Sequence, residues 1–204
     1  MDKYKNLTIK GYHFPDDKIL TNLRGQINES MRTHYLPCLE KINTSKGVKL
    51  LVTIMAQIEG FFAPSKTYPN GSRSFRTNNP GNIGNTDNGS NNGFKTLQDG
   101  IMAQIEYVNK VAENKHGAYK FGRKIIKPYY SSEIANNPKT YGGKSPYLPG
   151  YDFDFSGQLG GFVKIYSTGA RAGNRYLSVI ISYFAEHEII ISENTTLKEI
   201  ININ

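Results

Sequence analysis

Val48-Lys49-Leu50-Leu51-Val52-Thr53-Ile54-Met55-Ala56-Gln57-Ile58-Glu59-Gly60-Phe61-Phe62 is the stretch whose reading decides the fold. Its apolar residues recur at three- and four-residue spacing, which predicts a buried helix. At about 100° per residue, Val48, Leu51, Val52, Met55, Ala56, Ile58 and Phe62 share one broad face. Glu59 falls near the middle of that face. A carboxylate there must be paired, be protonated or face a cleft, because an unpaired buried charge costs too much. Burial raises a carboxyl's pKa, as a general acid working near neutral pH requires. The alternative at this position is a structural glutamate in a buried ion pair.

The chain carries its own comparison. Ile54 to Glu59 reads Ile-Met-Ala-Gln-Ile-Glu, and Ile101 to Glu106 repeats it residue for residue. In the second copy Leu97, Ile101, Ile105, Val108 and Val111 set the apolar stripe, and Glu106 projects roughly opposite. Lys110 follows it by four residues, in the favourable Glu-to-Lys order. One hexamer thus predicts a solvated helix residue at Glu106 and a site residue at Glu59. Nothing around the copies recurs at a fixed period, so this is not a repeat architecture.

The length of 204 residues suits one domain with small extensions, and 38% hydrophobic with 12% aromatic content fits a globular chain. A formal charge of +8 favours an anionic partner: nucleic acid, a membrane surface or the bacterial cell wall. Lys and Arg are scattered, without the dense basic tract of a nucleic-acid arm. Cys38 is the only cysteine, so no intrachain disulfide can form. It sits in Leu-Pro-Cys-Leu and reads as a small buried hydrophobe rather than a catalytic thiol. The start, Met-Asp-Lys-Tyr-Lys-Asn, does not resemble a signal peptide, so synthesis in the cytoplasm is expected. No apolar run approaches the roughly 18 to 20 residues of a membrane span.

Along the chain, residues 1–44 read as an N-terminal arm and helix packed on the body, a candidate docking element. Asp16 and Asp17 would cap a helix from about Lys18 to His34, which Pro37 breaks or restarts before Cys38 to Ile42. Thr44-Ser45-Lys46-Gly47 caps the glutamate helix, and Gly60 and Pro64 end it. Residues 63 to 96 switch to turn chemistry, with short candidate strands at Ser74-Phe75-Arg76 and Gly93-Phe94-Lys95 in a small lobe. Thr96 and Asp99 resemble a capping box opening a helix from Leu97 to about Glu113, so Asp99 is a cap rather than an acid. Short helices are expected around Ala118 to Ile126 and Ser132 to Asn136. A Tyr-, Gly- and Pro-rich loop follows, whose Tyr147 and Tyr151 could stack on sugars or simply pack. Helices are then expected at Gly157 to Ser167 and Ala172 to His187, with residues 188–204 as a C-terminal extension.

These residues carry a resemblance. Met55-Ala-Gln-Ile-Glu-Gly-Phe-Phe62 resembles the glutamate helix end of lysozyme-like peptidoglycan hydrolases, which include the bacterial glucosaminidases and soluble lytic transglycosylases. Asn78-Asn79-Pro80-Gly81-Asn82-Ile83 is similar to an element of phage-encoded lysozyme-like proteins. Phe94 with Thr96-Leu97-Gln98-Asp99-Gly100, and Tyr166-Ser167-Thr168-Gly169 with Tyr176-Leu177 and Ile180-Ile181, match later segments in the same order. The resemblance covers roughly residues 45 to 187. It implies a mainly α, lysozyme-like (α+β) fold, with a small β-hairpin lobe across a cleft from the glutamate helix. It further implies Glu59 as general acid, Asn79, Ile83 and Gly84 lining the cleft, and Tyr166 facing the acid. Gly60 stands where the family has Ser, which predicts looser substrate positioning.

Glycoside cleavage also needs a way to handle the oxocarbenium-like centre. A second carboxylate at Asp87, Asp152 or Asp154 would serve, or the substrate's own hydroxyl could attack, as in a transglycosylase. His13, His34, His116 and His187 are isolated and lack zinc spacing, so no metal or cofactor is expected. The expected function is a glycosidase that cleaves β-1,4 bonds between amino sugars of bacterial peptidoglycan. It would act at the wall as a holin-released endolysin or as a virion component alongside other phage proteins. A wall-binding or virion structural protein without turnover is the alternative, and a nucleic-acid-binding protein a third.

Overall fold

Ser45 starts the glutamate helix. Its extended backbone and side-chain oxygen, which accepts from the Val48 N–H at 3.3 Å, make it the N-cap of α2, Lys46–Ile58. The computed structural model describes residues 27–83, 93–113, 119–121, 124–126, 158–166 and 170–204. In chain order these form a π-helical turn Met31–Tyr35 leading into α1 (Leu36–Leu39), then α2, α3 (Arg73–Arg76) and α4 (Leu97–Ala112). Two short strands follow, β1 (Tyr119–Phe121) and β2 (Lys124–Ile126), then α5 (Leu159–Tyr166), α6 (Ala170–Glu186) and α7 (Leu197–Ile201). The described chain is mainly helical.

The expected one-sided apolar stripe of α2 is wider than its periodicity. Every residue from Val48 to Gln57 is buried except Lys49, because α2 packs against α4, α6, α7 and the π turn at once. Leu51, Val52, Ile54 and Met55 are fully buried, and each such side chain contributes about 1.5–3 kcal/mol. The ends of the described chain share this core: Ile27, Met31, Tyr35, Leu36 and Leu39 on one side, Leu197 and Ile200 on the other. The start of α2 is also tied to the C-terminal segment. The Gly47 N–H donates to the Ile203 carbonyl at 3.0 Å, and a Cβ on Gly47 would lie 1.9 Å from the Ile200 carbonyl oxygen.

Several expectations need correction. Of the two outcomes expected at Pro37, a break or a restart, the structure shows the restart, without an interruption of the helical path. Leu36 donates to the Met31 carbonyl, five residues back, and Pro37 falls in the first turn of α1, where its missing N–H costs nothing. Of the helix expected from Lys18, only the last residues lie among those described. Ser74-Phe75-Arg76 is a helical turn, not a strand, because the Ser72 hydroxyl caps it by accepting from Phe75 N–H at 3.3 Å. Gly93-Phe94-Lys95 forms no strand either; Phe94 N–H donates to the Thr77 carbonyl at 2.8 Å without extending into a ladder. The helix expected at Ala118 to Ile126 is instead an antiparallel pair, with Tyr119 opposite Ile126 and Phe121 opposite Lys124. Aromatic and β-branched side chains on both sides of Gly122-Arg123 suit strands better than a short isolated helix. The piece expected at Ser132 to Asn136 lies outside the described residues.

The helices expected after the Tyr-rich loop are present. In α6 Tyr176, Val179, Ile180 and Tyr183 are all buried, as their spacing predicts. The chain before α5 is stitched to the segment before α7, with Gln158 bridging Thr196 and Leu159 N–H donating to the Thr195 carbonyl at 2.8 Å.

Candidate functional site

Glu59 ends α2 as its C-cap, and Gly60 follows with φ +73°. The Phe61 N–H donates to the Ala56 carbonyl and the Gly60 N–H to the Gln57 carbonyl, the paired bonds of a Schellman ending. A side chain at Gly60 would be strained in that left-handed conformation. Glycine at this position is therefore a conformational requirement, and it fixes the backbone that carries Glu59. The Gly60 carbonyl accepts from the Ser74 hydroxyl at 2.9 Å, which anchors the turn from the other side.

Facing Glu59 are two tyrosines from the C-terminal helices. Tyr176 on α6 places its hydroxyl 3.4 Å from Glu59 Oε1 and 3.5 Å from the Met55 carbonyl. Tyr166, at the end of α5, packs edge-on against Tyr176 with ring centroids 5.6 Å apart, and the two hydroxyls are hydrogen-bonded. Burial, followed by the negative charge of Glu59, holds the Tyr166 hydroxyl well above its ordinary pKa. For Tyr176 the order is burial, then Tyr166, then Glu59. Both hydroxyls therefore remain proton donors across the physiological range. Tyr166 also donates to the Gly81 carbonyl, which ties the Asn-Pro-Gly-Asn turn to the same cluster.

That turn is built by its side chains. Asn82 N–H donates to the Asn79 carbonyl at 3.1 Å, closing a β-turn with Pro80 and Gly81 at its centre. Asn79 is fully buried, and its amide grips both backbone groups of Ile83, at 2.9 and 2.8 Å. Asn78 and Asn82 take φ of 51° and 52°, a region asparagine tolerates better than most residues. Gly81 does not need a positive φ. A Cβ there would meet the Gln104 side chain at 2.7 Å, so it is small because α4 is close.

Of the residues singled out in the sequence, the structure brings together Glu59, Tyr166 and the turn holding Asn79 and Ile83. Asn79 and Ile83 are buried and hold the turn's shape. Gly84, Asp87, Tyr147, Tyr151, Asp152 and Asp154 lie outside the described residues. Tyr176 is the site residue that sequence reasoning overlooks, since its stripe on α6 marks it only as core. Glu106 is half-buried rather than solvated. Burial raises its carboxyl above the ordinary value, and Lys110 offsets this in part. In the repeated hexamer the buried polar residue is the glutamine. Gln57 accepts from Asn28, and Gln104 accepts from the Tyr35 hydroxyl at 2.9 Å while donating to the Val52 carbonyl at 2.9 Å. Cys38 is half-buried, and burial pushes its thiol up, away from the thiolate form.

A groove of about 450 Å³ runs between Asn28–His34 and Phe62–Tyr68, where the Phe62 and Tyr68 rings stack at 4.8 Å. It begins just downstream of Glu59 but is not lined by it, so its size alone does not make it the centre of the chemistry. Among the described residues no group of three His, Cys, Asp or Glu side chains could hold a metal ion, and no helix is long and apolar enough to cross a membrane. Comparison of the chain with protein-family models, curated proteins and solved structures finds no match.

Proposed function

We propose that the protein is a peptidoglycan-degrading glycosidase of lysozyme-like architecture, in which Glu59 protonates the leaving oxygen of a β-1,4 bond between amino sugars. The observation that carries this reading is a carboxyl fixed at a helix end, half-buried, within hydrogen-bond reach of a tyrosine hydroxyl that stays protonated. A general acid needs such a held, partly desolvated position. The turn segment bearing Asn79-Pro80-Gly81 serves as the lobe that frames it, tied to the site through Tyr166. The charge of +8 suits an anionic wall polymer. In this reading the enzyme acts at the bacterial wall, as a released endolysin or within a virion.

Glu59→Gln tests the assignment directly. The variant should fold as the wild type does and release reducing ends from purified peptidoglycan at least about 100-fold more slowly, the lower range for a lost general acid. Equal rates would end the assignment of Glu59. Wall binding without release by the wild type would point to a binding protein instead. Mass spectrometry of the soluble muropeptides identifies the bond cut and separates hydrolytic ends from anhydro-sugar ends.

A further inference from the structure

We propose that the groove between residues 28–34 and 62–68 is a subsite for a neutral N-acetylated amino sugar, one unit of a glycan strand whose neighbouring bond lies at Glu59. This rests on the reading of Glu59 as an acid and adds a substrate contact away from the reacting atoms.

One wall is a closed loop. The Phe62 N–H donates to the Ser72 hydroxyl at 2.9 Å and the Ser72 N–H returns to the Phe62 carbonyl at 2.8 Å, which clasps residues 62–72 into an Ω-type loop. Within it the Tyr68 carbonyl accepts from the Ser65 and Gly71 N–H groups, both at 2.8 Å, and the Tyr68 N–H donates to the Ser65 hydroxyl at 3.1 Å. Gly71 takes φ +72°, which glycine adopts without strain. These bonds hold Tyr68 over Phe62, with the rings parallel to within 4° and their centroids 4.8 Å apart. Both rings line the groove and stay half-buried.

The other wall is polar, and it comes from upstream of the stretch that resembles the lysozyme-like hydrolases. Asn28 fixes it in place. Its N–H and side-chain amide both donate to Gln57 Oε1, at 3.1 and 2.8 Å, and its side-chain oxygen accepts from the Met31 N–H at 3.0 Å. Ser30 ties the two walls together by accepting from the Ala63 N–H at 2.8 Å. Glu29, Thr33 and His34 are exposed and line the groove. The Thr33 hydroxyl spends its hydrogen on the Glu29 carbonyl at 2.7 Å, which leaves its oxygen to accept.

A pyranose ring has C–H bonds on its faces and hydroxyls, here with an acetamido N–H, around its rim. The half-buried rings suit the face, and the oxygens of Glu29 and Thr33 suit the donors of the rim. At about 450 Å³ the groove falls within the roughly 300–1,000 Å³ of small-molecule sites. A phosphate polymer would call for cations, and none of the described lining residues is Lys or Arg. An extended peptide would pair with an open strand edge, whereas the N–H groups of Phe62, Ala63, Ser65 and Tyr68 are already spent. The groove adjoins the acid along the chain and in space. Gln57 stands two residues before Glu59, and the Phe62 ring folds back on Gly60, its Cε2 3.1 Å from where a Cβ would lie.

The test is calorimetric titration of the full chain carrying Glu59→Gln, which leaves the probe uncut, with a soluble N-acetylglucosamine oligomer. Adding Tyr68→Ala or Glu29→Ala should weaken binding about three- to tenfold each, while Tyr68→Phe, which keeps the ring, should stay within about twofold. Glu29 is exposed on the wall opposite the loop, so a loss there does not arise from a disturbed loop. Absence of binding, or an affinity unchanged in either alanine variant, overturns the subsite even where the wild type cleaves peptidoglycan. Binding of a sugar-free wall peptide in place of the oligomer also overturns it and assigns the groove to peptide. Oligomer binding that falls in both variants, in a protein whose wild type releases no reducing ends, keeps the sugar groove and ends the reading of Glu59 as an acid.

Discussion

Gly100 lies near the start of α4, four residues beyond the capping hydroxyl of Thr96, where alanine would ordinarily be preferred by about 1 kcal/mol. The structure reverses that preference. A Cβ on Gly100 would lie 1.7 Å from the Asn78 carbonyl oxygen, 2.9 Å from its carbon and 3.1 Å from Pro80 Cδ. The nearest atoms are backbone, so relief requires α4 and the Asn78–Asn82 turn to separate. Overpacking of this kind costs about 1–3 kcal/mol. Separation also strains the Asn78 amide bonds to the Phe94 and Lys95 carbonyls, at 3.2 and 3.3 Å, worth about 1 kcal/mol together. Against the helical gain of about 1 kcal/mol, Gly100→Ala should destabilise by roughly 1–3 kcal/mol. In a chain of this size that lowers Tm by about 2–4 °C per kcal/mol. Urea denaturation at unchanged m is the assay, with Gly47→Ala and Gly160→Ala as comparators. Gly47→Ala should lose a similar amount, its Cβ meeting the Ile200 carbonyl oxygen at 1.9 Å. Gly160→Ala meets Glu193 only at 3.2 Å and should stay within about 1 kcal/mol of wild type. A stabilised Gly100→Ala would refute the close approach of α4 to the turn, and with it the placement of Gly81 beneath Tyr166.

Two other outcomes follow from the end of α6. Glu188 sits at φ 63° in a Schellman ending, with its N–H bonded to the Ala185 carbonyl and that of Ile189 to the Phe184 carbonyl. Glu188→Gly should raise stability by about 0.5–1 kcal/mol, the relief of left-handed strain less the added freedom of the unfolded chain; a loss in thermal unfolding would contradict this. His187 is half-buried against Tyr183, and burial, then Lys46, lowers its pKa below the ordinary 6.5. The unfolded chain then binds the proton more readily, so stability should fall as pH drops through 6.5 and level off below the folded value. His187→Gln should flatten that part of the pH profile; an unchanged slope between pH 7 and 5 would remove His187 as its source.

The glutamate helix is legible in the sequence because independent signals agree on it. Ser45 caps it, the apolar spacing persists through it, and Gly60 ends it where Glu59 stands. The same holds for α4, where Thr96 and Asp99 form a capping box with both bonds present. What surrounds Glu59 is less legible. Tyr176 lies 117 residues downstream, and its periodicity reports burial without naming what it is buried against. Tyr183, two turns further and equally buried, gives the same signal and has no part in the cluster. Between Phe62 and Ile83 the backbone follows individual side chains rather than a period. The Ser72 hydroxyl turns Arg73–Arg76 into a helix, and the Asn79 amide shapes the turn to Ile83. Alternation over three residues is too short a signal to compete with one such hydrogen bond.

The bond from Gly47 to Ile203 also bears on how the chain is made. The N-terminal end of the glutamate helix meets its partner only after roughly 150 further residues have been translated, at about 5–20 residues per second. For several seconds on the ribosome this largely buried helix has no cover at that end. Contacts so distant in sequence slow folding and expose surfaces prone to association. The nascent chain should therefore depend on chaperones more than its short, mostly local helices suggest. The Glu59 site, whose tyrosines also come late, takes shape only after Tyr166 and Tyr176 have been added.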